Sequence, residues 1–457
     1  MKILKLLPFG AILEKENEMP FYDELGEKNV ISLMGLLPNT IYDFFKTPNV
    51  RYVINVKDYG GCINTAIYVA EEGYTVYIPK GYYEVSTIFL RSNIDIYLEK
   101  GVLIRQKQDS LPIIKGYQKS YDHSTATHNS SWEGNPLDCY ASLFYGKRIK
   151  NVNIYGEGII DGNGYKSGFW DNPKEKRKAF RPKNILIVHS KNVCIAGITS
   201  INSSSWNIHP YYSENISLLA LNIKSHKNSP NTDGINPESC SSVDIIGCYF
   251  SVGDDCIAIK SGKYYMAKNH YKPSENITIR NCYMESGHGC VVIGSEIACG
   301  VYKVNASKCI FKNNDRGFRI KTRRGRGESS IVDGVHFENI IMDNVKHGFV
   351  INMFYNQDPD GKSEYVKSKE HLPKNEFTPT IKNITLKNIR AIIRGTAIFI
   401  YGLPENPVSN VTLENCKFEF TKERVIEEPA FMCDFEVKEE LNFFEKNTME
   451  IKGWKKY

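Results

Sequence analysis

Val243–Phe250, reading Val-Asp-Ile-Ile-Gly-Cys-Tyr-Phe, leads into Gly253-Asp254-Asp255-Cys256-Ile257-Ala258-Ile259. The same pattern returns 34 residues later: Ile277–Met284, Ile-Thr-Ile-Arg-Asn-Cys-Tyr-Met, leads into Gly287-His288-Gly289-Cys290-Val291-Val292-Ile293. The apolar positions coincide, cysteine falls on cysteine, and Asp254 falls on His288. A third copy runs from Val304 through Cys309 to Phe318-Arg319-Ile320-Lys321, and a fourth from Val335 to Phe349-Val350-Ile351-Asn352. Within each copy apolar and polar residues alternate over a few positions between Gly, Asn, Ser and Asp, which is the pattern of short strands and turns. Related openings, an asparagine followed by apolar-x-apolar, start at Asn151, Asn192, Asn215, Asn383 and Asn410; taken together with the four copies above, most successive openings are 23 to 34 residues apart. A period of that length marks a solenoid, because strands this short bury a face only by stacking coil on coil. The expected fold is all-β, a parallel β-helix.

The cysteines agree with this. Cys248, Cys282, Cys309 and Cys416 each lie five residues after the first apolar residue of their repeat, so stacked coils set them in an inward column. No Cys-x-x-Cys pair occurs among the 12 cysteines, which argues against zinc. Neighbouring coils about 4.8 Å apart leave disulfides geometrically open. Buried thiols that pack as small hydrophobes are the expectation.

A chain of 457 residues would ordinarily divide into several domains, but repeats from about 150 to 416 argue for one elongated unit. The expected division is an N-terminal segment, 1–48, and a β-helix, 49–457. Gly35–Tyr42 resembles the end of a fibronectin type III module, so 1–48 reads as a remnant of one or as a short cap. A helix-like stretch near Asn64–Glu72 suits the closing of the core's open end, and the charged C-terminal 40 residues, with Trp454, suit the other end. The polar stretches 117–136, 164–181 and 357–377 read as projecting loops. No stretch is apolar enough to span a membrane. The N-terminal apolar run is broken by Pro8 and Gly10 and lacks a small-residue cleavage site, so no signal peptide is evident. A cytoplasmic monomer is the expectation for the sequence as given, with secretion if the true N-terminus differs. Lysine and arginine exceed aspartate and glutamate by a net charge of +6, which allows an acidic partner without demanding one.

Aligning Ile235 with Ile257 puts Asp233 on Asp255 in neighbouring coils. Arg319 and Lys321 alternate with the inward Phe318 and Ile320, so both point outward. One face of four coils then carries Asp233, Asp254, Asp255, His288, Arg319 and Lys321. Carboxyl groups this close cannot all ionise freely, and one retains a proton. A retained proton beside an ionised carboxylate is what acid–base hydrolysis of a glycoside needs. Arg319 and Lys321 add cations for a substrate carboxylate, one as a fork and one as a point charge. Taken singly, an Asp-Asp pair is usually a solvated turn, Gly-His-Gly a turn, and Arg-Ile-Lys a strand with a polar face. A solenoid has no structural need to gather all of them on one face.

Asn231-Thr232-Asp233, Gly253-Asp254-Asp255, Gly287-His288-Gly289 and Arg319-Ile320-Lys321 resemble, in order and spacing, the four motifs of glycoside hydrolase family 28, the polygalacturonases. The resemblance extends from about Val53 to Glu419. It implies a right-handed parallel β-helix and inverting hydrolysis of α-1,4-galacturonosyl bonds in pectic polysaccharides or oligogalacturonides, without a cofactor or metal. On that likeness Asp254 is the general acid, Asp233 and Asp255 position and deprotonate water, His288 supports the acid, and Asn231, Arg319 and Lys321 bind substrate. Ser205–Pro210 and Gly294-Ser295-Glu296 resemble the bacterial exo-acting branch. The family's Gly-Asp-Gly-x-x-Asp stretch after the first Asp-Tyr-Gly is missing, because Asp58-Tyr59-Gly60-Gly61 runs directly into Cys62.

Two other readings compete. A pectate lyase uses Ca²⁺, which an aspartate cluster can ligate, but gives the His288 motif no role. A non-catalytic carbohydrate-binding β-helix has no need of Asp254 beside Asp255. The run Lys321-Thr322-Arg323-Arg324-Gly325-Arg326 suggests nucleic acid by charge, but its place beside the carboxylates favours a polyanionic sugar.

Overall fold

A computed structural model describes all residues except 18, 23–25, 117–127, 358–360, 431 and 454–457. Trp454 and parts of the 117–136 and 357–377 stretches therefore lie outside the described residues.

The coils stack in the register the repeats dictate. Val243, Ile277, Val304, Val335, Ile384 and Val411 pair in succession through parallel strands. A second column joins Ile257, Val291, Phe318, Phe349, Ile398 and Phe443, and Ile235 bridges Ile257 as aligned. Two faces of the helix belong to one 22-stranded sheet. The third face consists of a four-stranded and a six-stranded run, which the bridges Ile208–Ile235–Ile257 connect. One continuous apolar core fills the interior. Cys248, Cys282 and Cys309 lie fully buried in it and Cys416 partly so, all as free thiols. In the late coils the strands lengthen, reaching 15 residues at Ile331–Val345, because successive short runs there join without a break.

The asparagines that open the repeats do more than punctuate strands. Asn151, Asn192 and Asn215 all adopt left-handed backbone, φ 54°, 57° and 54°, the conformation that asparagine tolerates better than most residues. Their side-chain amides form a ladder along the stack. Asn192 donates to Asn151 at 2.9 Å and accepts from Asn215 at 3.1 Å. Asn410 and Asn383 repeat the arrangement later.

The predicted helix forms at Ile63–Val69 and sets Ile63, Ala66 and Ile67 on the end of the core. The shortened first coil is accommodated by a 3-10 turn, Val56–Tyr59, which the Asn55 side chain caps and Gly60 ends in left-handed backbone. Lys2–Leu7, Gly10–Glu14 and Val30–Met34 form a three-stranded antiparallel sheet that lies along the flank. Leu7, Ile12 and Val30 pack there on Tyr155, Ala196, Leu219 and Ile246, and Glu14 grips Arg280 by two hydrogen bonds, at 2.6 and 2.8 Å. Among the described residues no helix is long and apolar enough to cross a membrane.

Asn192→Ala is expected to lose both ladder bonds and to hold alanine in a backbone region costing about 1–2 kcal/mol. Asn192→Gly, free of that strain, should lose less. Urea denaturation of the two variants checks the order.

Candidate active site

The third face carries the chemistry because its strands begin just after the turns that hold the polar motifs. Asp233 precedes Ile235, the Asp254-Asp255 pair precedes Ile257, and His288 precedes Val291, while Arg319 and Lys321 alternate outward from Phe318 and Ile320. A cleft of about 630 Å³ gathers all six together with Asn231. Gly289, on the coil between, packs against Asp255: a Cβ there would stand 3.1 Å from its Oδ1. Lys321 thereby reaches back to place its Nζ 3.0 Å from Asp255 Oδ2. Its charge is thus not left for a substrate anion alone, and its side chain is only 11% exposed.

His288 Nδ1 lies 3.3 Å from Asp254 Oδ1. The hydrogen bond and the Asp254 charge raise the His288 pKa above its usual value despite burial. In return, His288 outweighs the burial of Asp254 and, with help from the Lys321 and Lys260 charges, draws its carboxyl down to about 2. Asp233 moves the other way. Burial, then the neighbouring Asp254 charge, push it up to about 8, against the weaker pull of Lys260 and of Asn236, which donates at 2.8 Å. Two of the cleft's carboxyl groups are thereby separated, one keeping its proton near neutrality and one held as an anion. Asn231 accepts from Arg181 at 2.6 Å and approaches Asp254 at 3.5 Å.

The whole arrangement sits on a fold with known counterparts. Residues 99–431 match the sequence pattern of glycosyl hydrolases family 28. The chain belongs to that family. It is 30% identical over 357 residues to a probable polygalacturonase of Vitis vinifera, covering 76% of this chain and 67% of that one. It is 28% identical over 341 residues to an endo-polygalacturonase of Pectobacterium carotovorum subsp. carotovorum, covering 72% of this chain and 75% of that one. The solved structure of a hyperthermoactive exopolygalacturonase from Thermotoga maritima superposes with a TM-score of 0.68 at 24% identity, over 88% of this chain and 92% of that one. The fold is accordingly the right-handed β-helix of family 28.

Several expectations need correction against this geometry. The Arg319 fork is buried, and one of its amino groups donates to the Ala430 carbonyl; Arg316 Nε donates to Pro429 at 2.9 Å. Both accepting carbonyls belong to residues that follow the last long repeat. Of the C-terminal 40 residues expected over the end of the core, Leu441, Phe443, Phe444 and Ile451 do pack against it, but residues 427–430 reach the cleft, and Glu427 is anchored on Lys346 at 2.9 Å. The 128–136 stretch does not project. Trp132 is buried, stacked 5.1 Å from Phe180 and 5.9 Å from Trp206. The run Arg323–Arg326 is no surface for a polyanion, because all three arginines are buried. Arg324 pairs with Glu405 at 2.6 and 2.9 Å and Arg326 donates to Ser295 at 2.8 and 3.0 Å.

Sequence reasoning passed over Lys260, Glu296 as a partner for it, Tyr355 and Lys346, all of which line the cleft. Lys260 was within reach, since the repeat alignment that pairs Ile259, Ile293 and Ile320 sets Lys260 in the column of Lys321. Tyr355, whose ring lies 5.8 Å from the Arg319 guanidinium and 5.7 Å from Lys321 Nζ, carries no such signal.

Arg324→Met should destabilise the fold by about 3–5 kcal/mol, the scale of leaving one charge of a buried pair alone. Denaturant unfolding checks it. A solvent-facing basic patch would instead tolerate the change.

Proposed function

We propose that the protein is an exo-acting polygalacturonase that cleaves α-1,4-galacturonosyl bonds with inversion. The observation that carries the reading is the gathering of Asp233, Asp254 and Asp255 in one cleft, with His288 on Asp254 and Lys321 on Asp255; burial raises the Asp233 pKa while His288 lowers that of Asp254. Interacting carboxyls titrate as a unit, so the retained proton belongs to the cluster. Asp254, with a side chain 21% exposed, faces the cleft, while Asp233 and Asp255 lie beneath it at 3% and 2%. Asp254 therefore delivers the proton to the glycosidic oxygen, and Asp233 stores it until substrate arrives. Once ionised, Asp233 joins Asp255 in taking a proton from the attacking water. One proton leaves to the oxygen and one enters from water, so the cluster's count is restored at each turnover. His288 holds Asp254 in place, and Lys321, beside Asp255, offers a cation to the uronate.

Exo action is supported by walls at both ends. Glu133 and Lys174, 3.5 Å apart, join the 128–136 and 164–181 segments at one end, and the fold-back over Arg316 and Arg319 stands at the other. A groove blocked in this way favours chain ends over chain interiors. Chromatography of the products from polygalacturonate decides the matter. Monomer or dimer alone is the expected outcome; a ladder of oligomers means endo action, and an absorbing unsaturated product means a lyase.

Asp254→Asn should lower kcat by several orders of magnitude with little change in binding, since a proton donor acts in the transition state. In the parent, a raised carboxyl pKa means the proton is held below about pH 8 and lost above it. kcat/KM, which reports the free enzyme's ionisations, should therefore fall as pH rises through that value, as a pH–rate profile would record.

A further inference from the structure

A buried arginine behind the cleft has no part in the reaction just outlined. Arg181 is 2% exposed, and its guanidinium carbon lies 5.1 Å from the centre of the Trp132 ring. Its hydrogen bonds reach oxygens of two successive coils, none of them a carboxylate. One amino group donates to the Ser204 and Pro230 carbonyls, each at 2.8 Å, and the other to Asn231 Oδ1 at 2.6 Å. Burial draws its pKa down to about 10, against the charges of Glu133, Asp233 and Asp254, so the group stays protonated at neutral pH. The first two bonds hold backbone. The third selects which way a side-chain amide faces. Arginine only donates, so it keeps the oxygen of the Asn231 amide toward itself and turns the NH2 group to the cleft. There Asn231 Nδ2 stands 3.5 Å from Asp254 Oδ2, while His288 Nδ1 stands 3.3 Å from Oδ1. Each oxygen of the Asp254 carboxyl thus faces a nitrogen whose own position is set, and a proton donor whose rotation is stopped stays aimed at the bond it must protonate.

We infer that Arg181 is a positioning residue for the reaction, acting through Asn231 to hold the Asp254 carboxyl at the angle that proton delivery requires. This rests on the polygalacturonase reading, in which Asp254 is the donor. Arg181 is set behind the residues that line the cleft, so its loss falls on kcat and leaves KM almost as it was.

The test is a double-mutant cycle with polygalacturonate as substrate. Arg181→Lys keeps the charge but not the fork, and Arg181→Gln keeps a donor but not the charge. Asn231→Gly removes the amide and suits the left-handed backbone at that position, φ 53°. Each arginine variant should lower kcat on the order of 10- to 100-fold, the scale of a misplaced catalytic group, with KM within about twofold of the parent. Asn231→Gly should lower kcat by a similar factor. Added to Asn231→Gly, either arginine variant should have no further effect, because the path to Asp254 is already cut. An arginine that only holds the backbone gives the opposite result: its loss multiplies with that of Asn231→Gly. That outcome, or a parent-like kcat in both arginine variants, would overturn the inference. Asn231→Asp supplies a reading that needs no arginine variant to fold. It still accepts from Arg181 but sets a like charge against Asp254, so the acid limb of the kcat/KM profile should move up by about one pH unit. An unmoved limb would show that the side chain at this position does not act on Asp254. A parent that releases no galacturonate or oligogalacturonate from the polymer would instead overturn the polygalacturonase reading itself.

Discussion

Parallel backbone pairing from coil to coil is the constraint on which everything else in this molecule depends. Each coil contributes strands of only a few residues, with too little apolar surface to stay folded alone. Stacked in register, they bury Ile235, Ile257, Val291, Phe318 and Phe349 as one column and enclose a continuous core. A slip by one residue would turn every outward side chain of a strand inward. The same register that buries Phe318 and Ile320 therefore holds Arg319 and Lys321 on the outside and brings residues from Asn231 to Lys321 into one cleft. The asparagine ladder reinforces it at the turns, where left-handed backbone and amide-to-amide bonds repeat at the same point of successive coils.

The cleft built on this frame is not simply a basic groove for an acidic polymer. Among the described residues it is lined by eight aspartates and glutamates against six lysines and arginines. A polyanion entering it meets an excess of carboxyl groups, so recognition depends on individual pairings. Lys321 stands with Asp255, Lys260 with Glu296, and Lys346 with Asp315 and Glu427. The first two pairs keep buried lysines charged, and all three fix a lysine's direction, which is a better basis for reading a carboxylate than free positive charge. A proton retained among the clustered aspartates also lowers the repulsion in the cleft.

The buried arginines show how far charge counts mislead. Arg324 and Arg326 belong to a run that looks like a polyanion-binding surface, and both are consumed in holding the walls: Arg324 ties Glu405 to the Tyr365–Glu370 stretch, and Arg326 supports Ser295 beneath Glu296. Burying such groups is tolerable because their donors are matched by carbonyls and carboxylates in place.

The solenoid, its register and the six residues that meet in one cleft across four coils are legible in the chain alone, because period and alternation are local properties that stacking preserves. Asp233 was found by aligning Ile235 with Ile257, and the same alignment would have found Lys260 beside Lys321. How those groups are paired and how the cleft is walled depend on contacts made only once the chain has folded. Nothing periodic announces that residues 427–430 return to cover Arg316 and Arg319, that Trp132 turns inward onto Trp206, or that the first strands lie along the flank. These contacts join segments far apart in the chain and outside the repeat, and no local pattern encodes them. The protonation of the aspartates belongs to the same class, since burial and the distance to His288 or Lys321 set it, and both exist only once the coils have stacked.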